Sequence, residues 1–462
     1  MKIKLCNPIF ILLLILSINA CDSFKPVRKT PQRPSTTNGD EYIEVYNPQT
    51  GRMERKRRSE IDNNPNKPKP QNPTTPPSNT TDNPPTTKPN TSTSYKKNVY
   101  NITYLLPFSA MNNDPQTGNS KWALNFWAGA NIALDLLKDE AIKLNVNVLD
   151  TKTEDADMQK LLSNPAVKNA DVLVGPYKKS QATILADYAK SENKILFSPY
   201  IASNEVTTNN PNYIQCTPSL QSHCDGIMHY VLKNYDDDEI ILISRNKSSE
   251  LAAIDQCQLS YYKKRGSSSA KLKQMILDDN SDAIWKTDFS NFIKPNRTTA
   301  VVVPIWSSEQ FVYALMRKLD ALQSKNTKIV LFGLPQWMDF EKVEYDYFSR
   351  LQVHVSSGYY IDNESVTVKA FQQQFFEKTQ APPTTEAFMG YDATLYLGTF
   401  LSYHGLDFKG NLEKEKARGI HTSFNFERTS KQAALELNPV DYFENKKIFI
   451  LKYDNFLFAP VE

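Results

Sequence analysis

The chain has 462 residues with 54 Lys and Arg against 51 Asp and Glu, so its formal net charge of +3 argues for no particular partner. No Gly-x-Ser-x-Gly elbow, His-Glu-x-x-His pair, Gly-x-Gly-x-x-Gly turn or phosphate loop occurs, which removes the recognised hydrolase, zinc-protease and nucleotide-binding classes. The five histidines, His223, His229, His354, His404 and His421, show no metal-ligand spacing, and they read as packing or surface residues.

The first element is a leader. Lys2 and Lys4 precede an unbroken apolar run from Ile9 to Leu16, too short to cross a bilayer and laid out as a secretory signal. Ile18-Asn19-Ala20-Cys21 resembles a bacterial lipobox, which implies cleavage before Cys21 and acylation of its thiol and new amino terminus. Residues 1–20 are thus expected to be a lipoprotein signal peptide. Buried acyl chains, at about 0.8 kcal/mol per CH2, would anchor the protein to a membrane. The expected location is the cell envelope, lipid-anchored and facing the periplasm, with inner or outer membrane left open. That compartment excludes nucleic acid more firmly than the charge does.

Residues 21–97 are dominated by Pro, Thr, Asn and Ser, as in Asp82-Asn83-Pro84-Pro85-Thr86-Thr87-Lys88-Pro89. Such a segment buries too little apolar surface to offset the entropy of ordering, so a disordered tether is expected. About 75 residues of flexible coil span roughly 50 Å, enough to hold the next segment off a membrane. Within it, Arg55-Lys56-Arg57-Arg58 reads as a solvated charge run.

From Asn98 onward the composition is that of a folded domain, longer than one core usually holds. Strands are expected at Tyr100 to Leu106, Val146 to Asp150, Val172 to Val174, Ile195 to Ser198, Ile240 to Ser244, Ala300 to Val303, Ile329 to Phe332 and His354 to Ser357. Several are continuous aliphatic runs, as in strands covered on both faces. Helical patterns lie between them, such as Phe126, Ala130, Ala133 and Leu137 on one face. The alternation is the α/β signature of parallel sheets with right-handed crossovers. Gly129 and Ala130 would let a helix approach its sheet closely, and Gly175-Pro176 would stop a strand at a loop.

Particular residues add a resemblance. Leu105-Leu106-Pro107-Phe108, Trp127-Ala128-Gly129-Ala130-Asn131-Ile132-Ala133, Val172-Leu173-Val174-Gly175-Pro176 with Ser180, and Phe197-Ser198-Pro199 come first. Val302-Val303-Pro304, Leu331-Phe332-Gly333-Leu334-Pro335 and Phe388-Met389-Gly390-Tyr391-Asp392-Ala393 follow. In this order and spacing they resemble the type I periplasmic-binding-protein family, leucine-binding-like receptors and substrate-binding lipoproteins. The resemblance implies two Rossmann-like lobes with parallel sheets joined by a three-stranded hinge. The crossings would fall near Gln215 to Pro218, Val355 to Tyr359 and Asn425 to Glu427. One lobe would hold about 98–215 and 359–425, the other about 218–355 and 427–462. A cleft between such lobes closes on a ligand by hinge motion.

The loops facing that cleft would carry Ser109, Tyr177, Ser180, Ser198, Tyr200 and Ser203 from one lobe, and Arg245, Trp306, Ser307, Gln336 and Trp337 from the other. Aromatic faces and hydroxyls suit a small polar ligand, and Arg245 could pair with a carboxylate. Amino-acid receptors of this family hold the ligand carboxylate in the loops matching Tyr177 to Gln181 and Ser198 to Ser203. Lys178-Lys179 and Tyr200-Ile201 depart from that pattern, so the ligand is amino-acid-like or of another class. The implied role is uptake with an ABC permease, or sensing, with no cofactor, no metal and no catalysis.

A second resemblance rests on Gly175-Pro176-Tyr177-Lys178-Lys179-Ser180 and Gly333-Leu334-Pro335-Gln336-Trp337. These are similar to motifs of penicillin-binding-protein activators, lipoproteins that contact a peptidoglycan synthase. Those activators carry a helical-repeat domain before this fold, where here the low-complexity segment stands. Two smaller expectations complete the reading. Cys216 with Cys224 would close a short loop as a disulfide, with buried free thiols the alternative. The acidic runs at Asp236–Glu239 and Asp278–Asp282 read as turns, because the second has Ala283 and Phe289 where a calcium loop needs Gly and Glu.

Overall fold

A computed structural model describes residues 42–47, 52–57, 96–109, 118–138, 142–430 and 440–461. The leader, Cys21 and most of the proposed tether lie outside the described residues. Inside the tether, however, β1 (Tyr42–Asn47) and β2 (Arg52–Arg57) pair antiparallel, where composition led to an expectation of disorder. The local sequence accounts for the difference. Tyr42-Ile43-Glu44-Val45-Tyr46 is aromatic and β-branched, Asn47 to Gly51 is rich in turn residues, and the register sets Glu44 opposite Arg55. The basic run is therefore in part a strand.

The first large sheet comprises β3 (Tyr100–Leu106), β4 (Leu144–Asp150), β5 (Val172–Val174), β6 (Ile195–Ser198) and β7 (Tyr213–Gln215). The second comprises β8 (Ile240–Arg245), β9 (Lys273–Leu277), β10 (Thr298–Val302), β11 (Lys328–Gly333) and β12 (His354–Ser357). A small pair, β13 (Ala417–Arg418) and β14 (Ser423–Phe424), stands apart. β15 (Phe426–Thr429) and β16 (Tyr442–Asn445) join the first sheet, and β17 (Phe449–Asp454) and β18 (Leu457–Pro460) join the second. Each sheet has seven strands, in the orders β4-β3-β5-β6-β7-β16-β15 and β9-β8-β10-β11-β12-β17-β18. The five leading strands of each run parallel in the same winding, with the first strand beside the second and the third. The protein is thus a two-lobed α/β fold of duplicated doubly wound sheets.

The continuous aliphatic runs are explained by burial on both faces. Along β8, Ile241 and Ile243 enter one core cluster while Ile240 and Leu242 enter the opposite one, and β10 and β11 alternate in the same way. In the first lobe Tyr104 and Leu106 face one cluster and Leu105 the other.

Two expectations are corrected. The third crossing does not lie at Asn425 to Glu427: β15 and β16 both pair in the first sheet, and the chain changes lobe between Asn445 and Phe449. Gly129 does not bring a helix onto its sheet but onto another helix. A methyl at Gly129 would overlap the carbonyl oxygen of Ala387, and one at Gly390 would overlap that of Phe126. Helices Gly118–Leu137 and Thr385–His404 therefore meet backbone to backbone. Gly175 does end β5, at a φ of 118° and where a Cβ would fall 2.3 Å from the Leu105 carbonyl oxygen, a place for glycine alone.

The crossings touch one another. Gly358 leaves 3.0 Å between a would-be Cβ and Pro218 Cδ, and Gly226 packs under Ile448. Buried Glu444 accepts from the Ser219 N–H at 2.8 Å, Ser222 Oγ at 2.6 Å and Lys446 Nζ at 2.6 Å, tying the third crossing to the first. Burial alone would raise this carboxyl, but the Lys446 cation and these donors hold it below its ordinary value. Among the described residues no helix is long and apolar enough to cross a membrane.

Candidate functional site

Open α/β sheets bind ligands beyond the carboxyl ends of their strands, where the winding reverses. In the second lobe that place is filled by the protein itself. Arg245 ends β8 and is 2% exposed. Its Nε donates to Glu250 Oε2 at 2.9 Å, Nη1 to both Asp279 oxygens at 2.9 Å, and Nη2 to Ser307 Oγ at 2.7 Å and to Glu250 Oε1. All five guanidinium N–H groups are thereby engaged. Ser307 passes the chain on by donating to Glu250 at 2.8 Å. Bonds from Lys247 first and Arg245 second hold Asp279 below the ordinary carboxylate range. Arg245 is accordingly not free for a ligand carboxylate.

In the first lobe Tyr177 and Tyr200 stack at 4.3 Å, and both rings lie about 5 Å from Trp122. Tyr200 donates to Tyr177 Oη at 3.2 Å. Ser180 donates to Asp155 at 2.7 Å, and the Ser109 N–H to Asp150 at 2.9 Å. Ser198 is fully buried at the end of β6, and Ser203 accepts the Glu205 N–H at 3.3 Å. In the second lobe Trp337 is a core residue, 0% exposed, whose Nε1 donates to the Ile305 carbonyl at 2.7 Å. Trp306 packs against the same lobe's core, and Gln336 is exposed. Most of the residues expected to face a ligand are therefore committed within their own lobe.

A cavity of about 150 Å³ opens where the lobes and the first two crossings meet. Pro199, Tyr200, Met389, Ala393, His421, Thr422 and Phe424 line it from the first lobe, and His223 and Pro335 from the second. Cys216, Thr217, Pro218, Gly358 and Tyr359 contribute the crossings themselves. Of the eleven residues expected from sequence to contact a ligand, Tyr200 alone reaches it.

Two histidines read as packing residues supply its polar chemistry. His421 rides on a short loop held by Asp392, whose carboxylate accepts the N–H groups of Ile420, His421 and Thr422 at 3.0, 2.8 and 2.9 Å. Thr422 Oγ1 donates to the Gly358 carbonyl at 2.6 Å, and the Tyr360 N–H to the His421 carbonyl at 2.8 Å, fastening the loop to the second crossing. The imidazole stacks on Tyr359 at 4.5 Å and 8°. It is 4% exposed, and neither ring nitrogen has a hydrogen-bond partner among the described residues. Burial holds it neutral, down to about 3. His223, 9% exposed, has Nδ1 3.0 Å from Ser356 Oγ and is held down to about 4 by burial. Burial lifts Asp392 to about 6 against the three N–H bonds that lower it. A lone His in a loop carries no sequence signal of this kind.

The expected Cys216–Cys224 bridge is absent: Cys216, Cys224 and Cys257 are free and buried. Cys216 packs in a first-lobe cluster and Cys224 with Cys257 in a second-lobe one, so the fold separates the pair. No metal-binding group of His, Cys, Asp or Glu occurs among the described residues.

Comparison with known proteins follows this geometry. A family model described as periplasmic binding protein matches residues 113–406. No curated protein matches the chain. Among solved structures, a protein assigned as a branched-chain amino acid ABC transporter from Rhodospirillum rubrum aligns at a TM-score of 0.58 and 11% identity, covering 79% of this chain and 99% of that one. An ABC transporter substrate-binding protein from Desulfitobacterium hafniense, in complex with Leu, aligns at 0.52 and 14%, covering 79% and 100%. Full-length LpoA from Haemophilus influenzae aligns at 0.53 and 14%, covering 79% of this chain and 59% of that one. These likenesses are of fold.

Proposed function

The chain belongs to the periplasmic binding protein family, and we propose that it is a lipid-anchored, non-catalytic solute-binding protein whose lobes close on a small ligand for uptake or sensing at the cell envelope. The observation that carries this reading is the cavity walled by both lobes and by two of the three crossings, so that an occupant couples directly to the hinge. The lipobox-like Ile18-Asn19-Ala20-Cys21 supports the anchor, and the Pro-rich segment after it supports a reach of several nanometres.

The test has two arms. Thermal unfolding against amino acids, short peptides, sugars and cell-wall fragments should find a compound that raises the midpoint, through a stabilisation of about 2.7 kcal/mol at a hundredfold excess over its Kd. The same compound should lower the radius of gyration in solution scattering, and a panel without either effect overturns the solute reading. Cys21→Ser should release the chain from membranes, and a variant that stays membrane-bound overturns the anchor.

A second reading, regulation of a peptidoglycan synthase, is favoured by the likeness to LpoA and by Arg245 being consumed within its lobe. It expects capture of an envelope synthase by a protein that no solute shifts.

A further inference from the structure

The cavity wall has a composition that narrows its occupant, an inference that rests on the solute-binding reading above. No Asp, Glu, Lys or Arg lines it. A zwitterion or carboxylate placed there would leave water for a site without a counter-ion, which costs free energy. The acids that act on the rim oppose an anion further. After burial, the charges of Asp339 and Glu386 raise the Tyr359 phenol.

The remaining wall is aromatic and aliphatic, with Tyr200, Tyr359, Phe424, Met389 and three prolines. Thr217, Thr422 and Tyr200 donate their hydroxyl protons to the Pro199 carbonyl, the Gly358 carbonyl and Tyr177, and the wall adds the Tyr359 phenol and two neutral imidazoles. Each imidazole has one donor and one acceptor nitrogen, and Ser356 engages only Nδ1 of His223. Both nitrogens of His421 are buried and unpartnered among the described residues. Native interiors rarely leave such groups unpaired, and the exceptions need a purpose. Asp392, Thr422 and Tyr360 fix the loop that carries this ring, so the unpaired imidazole is held in place.

We propose that the hinge cavity binds a small uncharged ring compound bearing both a hydrogen-bond donor and an acceptor, with His421 and His223 as its polar contacts and the aromatic wall enclosing its faces. A volume of about 150 Å³ suits one substituted six-membered ring. An α-amino acid would find no counter-ion for either of its charges in this wall.

The experiment uses the full chain in detergent, with nicotinamide, uracil and indole as neutral probes and leucine and glutamate as charged ones. A neutral probe is expected to raise the unfolding midpoint and to move the ring 15N resonances of His421 in histidine-labelled protein. His421→Phe should weaken that probe at least tenfold while leaving the ligand-free midpoint equal or higher, because two unpaired buried nitrogens are removed. A structural histidine would behave in the opposite way. His421→Asn, which keeps one donor and one acceptor, should lose less and serves if the phenylalanine variant does not fold. Binding of leucine or glutamate that survives His421→Phe would overturn the ligand class and leave the solute-binding reading standing. Absence of binding by all five probes overturns the inference. If the scattering panel also shows no compaction, the solute-binding reading falls with it.

Discussion

The two lobes share one winding and differ in what stands at its reversal point. In the second lobe a buried cation is neutralised there by Glu250 and Asp279 and bridged to Ser307. In the first lobe Trp122, Tyr177 and Tyr200 stack on one another. The same scaffold has thus been closed once by charge and once by aromatic packing. The open chemistry lies instead at the hinge, where neither lobe provides a complete wall. A duplicated fold does not imply duplicated sites.

The largest test of this contrast removes the cation. Arg245→Ala leaves Glu250, 0% exposed, without its partner, and should cost about 3–5 kcal/mol in urea unfolding. The double variant Arg245→Met with Glu250→Leu should recover most of that loss. If the single variant is neutral, the ion network is not what closes the second lobe.

Acid should separate the lobes next. A histidine held below its unfolded value of about 6.5 takes its proton only in the unfolded chain, so stability falls as the pH drops from 6.5 toward the folded value. His223 and His354 in the second lobe are both held at about 4, so at pH 5 they would remove about 4 kcal/mol together. In the first lobe His421, at about 3, acts in the same direction. Asp392, raised to about 6, acts in the opposite one, because the folded chain takes its proton first as the pH falls. Hydrogen exchange at pH 7 and pH 5 should show the second lobe losing more protection. Equal losses would contradict the assignment.

A smaller effect probes the first lobe's helix pair. Gly129→Ala forces a methyl into the Ala387 carbonyl and should cost about 1–3 kcal/mol, with the loss of protection confined to that lobe. The smallest concerns the hinge. Gly358→Ala meets Pro218 at 3.0 Å and should change stability by less than about 1 kcal/mol while slowing ligand-induced closure in stopped-flow scattering.

What was legible in the sequence follows the physics of each element. β3, β5, β6 and β12 span the same residues as their sequence-derived counterparts, since β5 and β6 are short apolar runs and β3 is rich in aromatic and β-branched residues. β15 and β16 were not, since Phe426-Glu427-Arg428-Thr429 mixes charge with one aromatic, and the third crossing was accordingly placed about twenty residues early. Arg245 was legible as a cation at a strand end. Its partners were not, because Asp279 arrives from 34 residues away through the neighbouring strand. Of the cavity, Tyr200 and the first two crossings were legible, and its histidines were not. Its walls come from six separate stretches of chain, and the histidine that characterises it sits in an unremarked loop.

The late third crossing also bears on how the chain is made. The second sheet receives β17 and β18 only from residues 449–460, after every strand of the first sheet has been synthesised. The first sheet in turn waits for β16, whose Phe443 pairs with Ile214 of β7 across 229 residues of chain. Each lobe thus completes its edge only through pairings between strands far apart in the chain, and such non-local pairings form slowly. An order of strands that looks like a detail of topology thereby makes the sheet edges a slow step in folding.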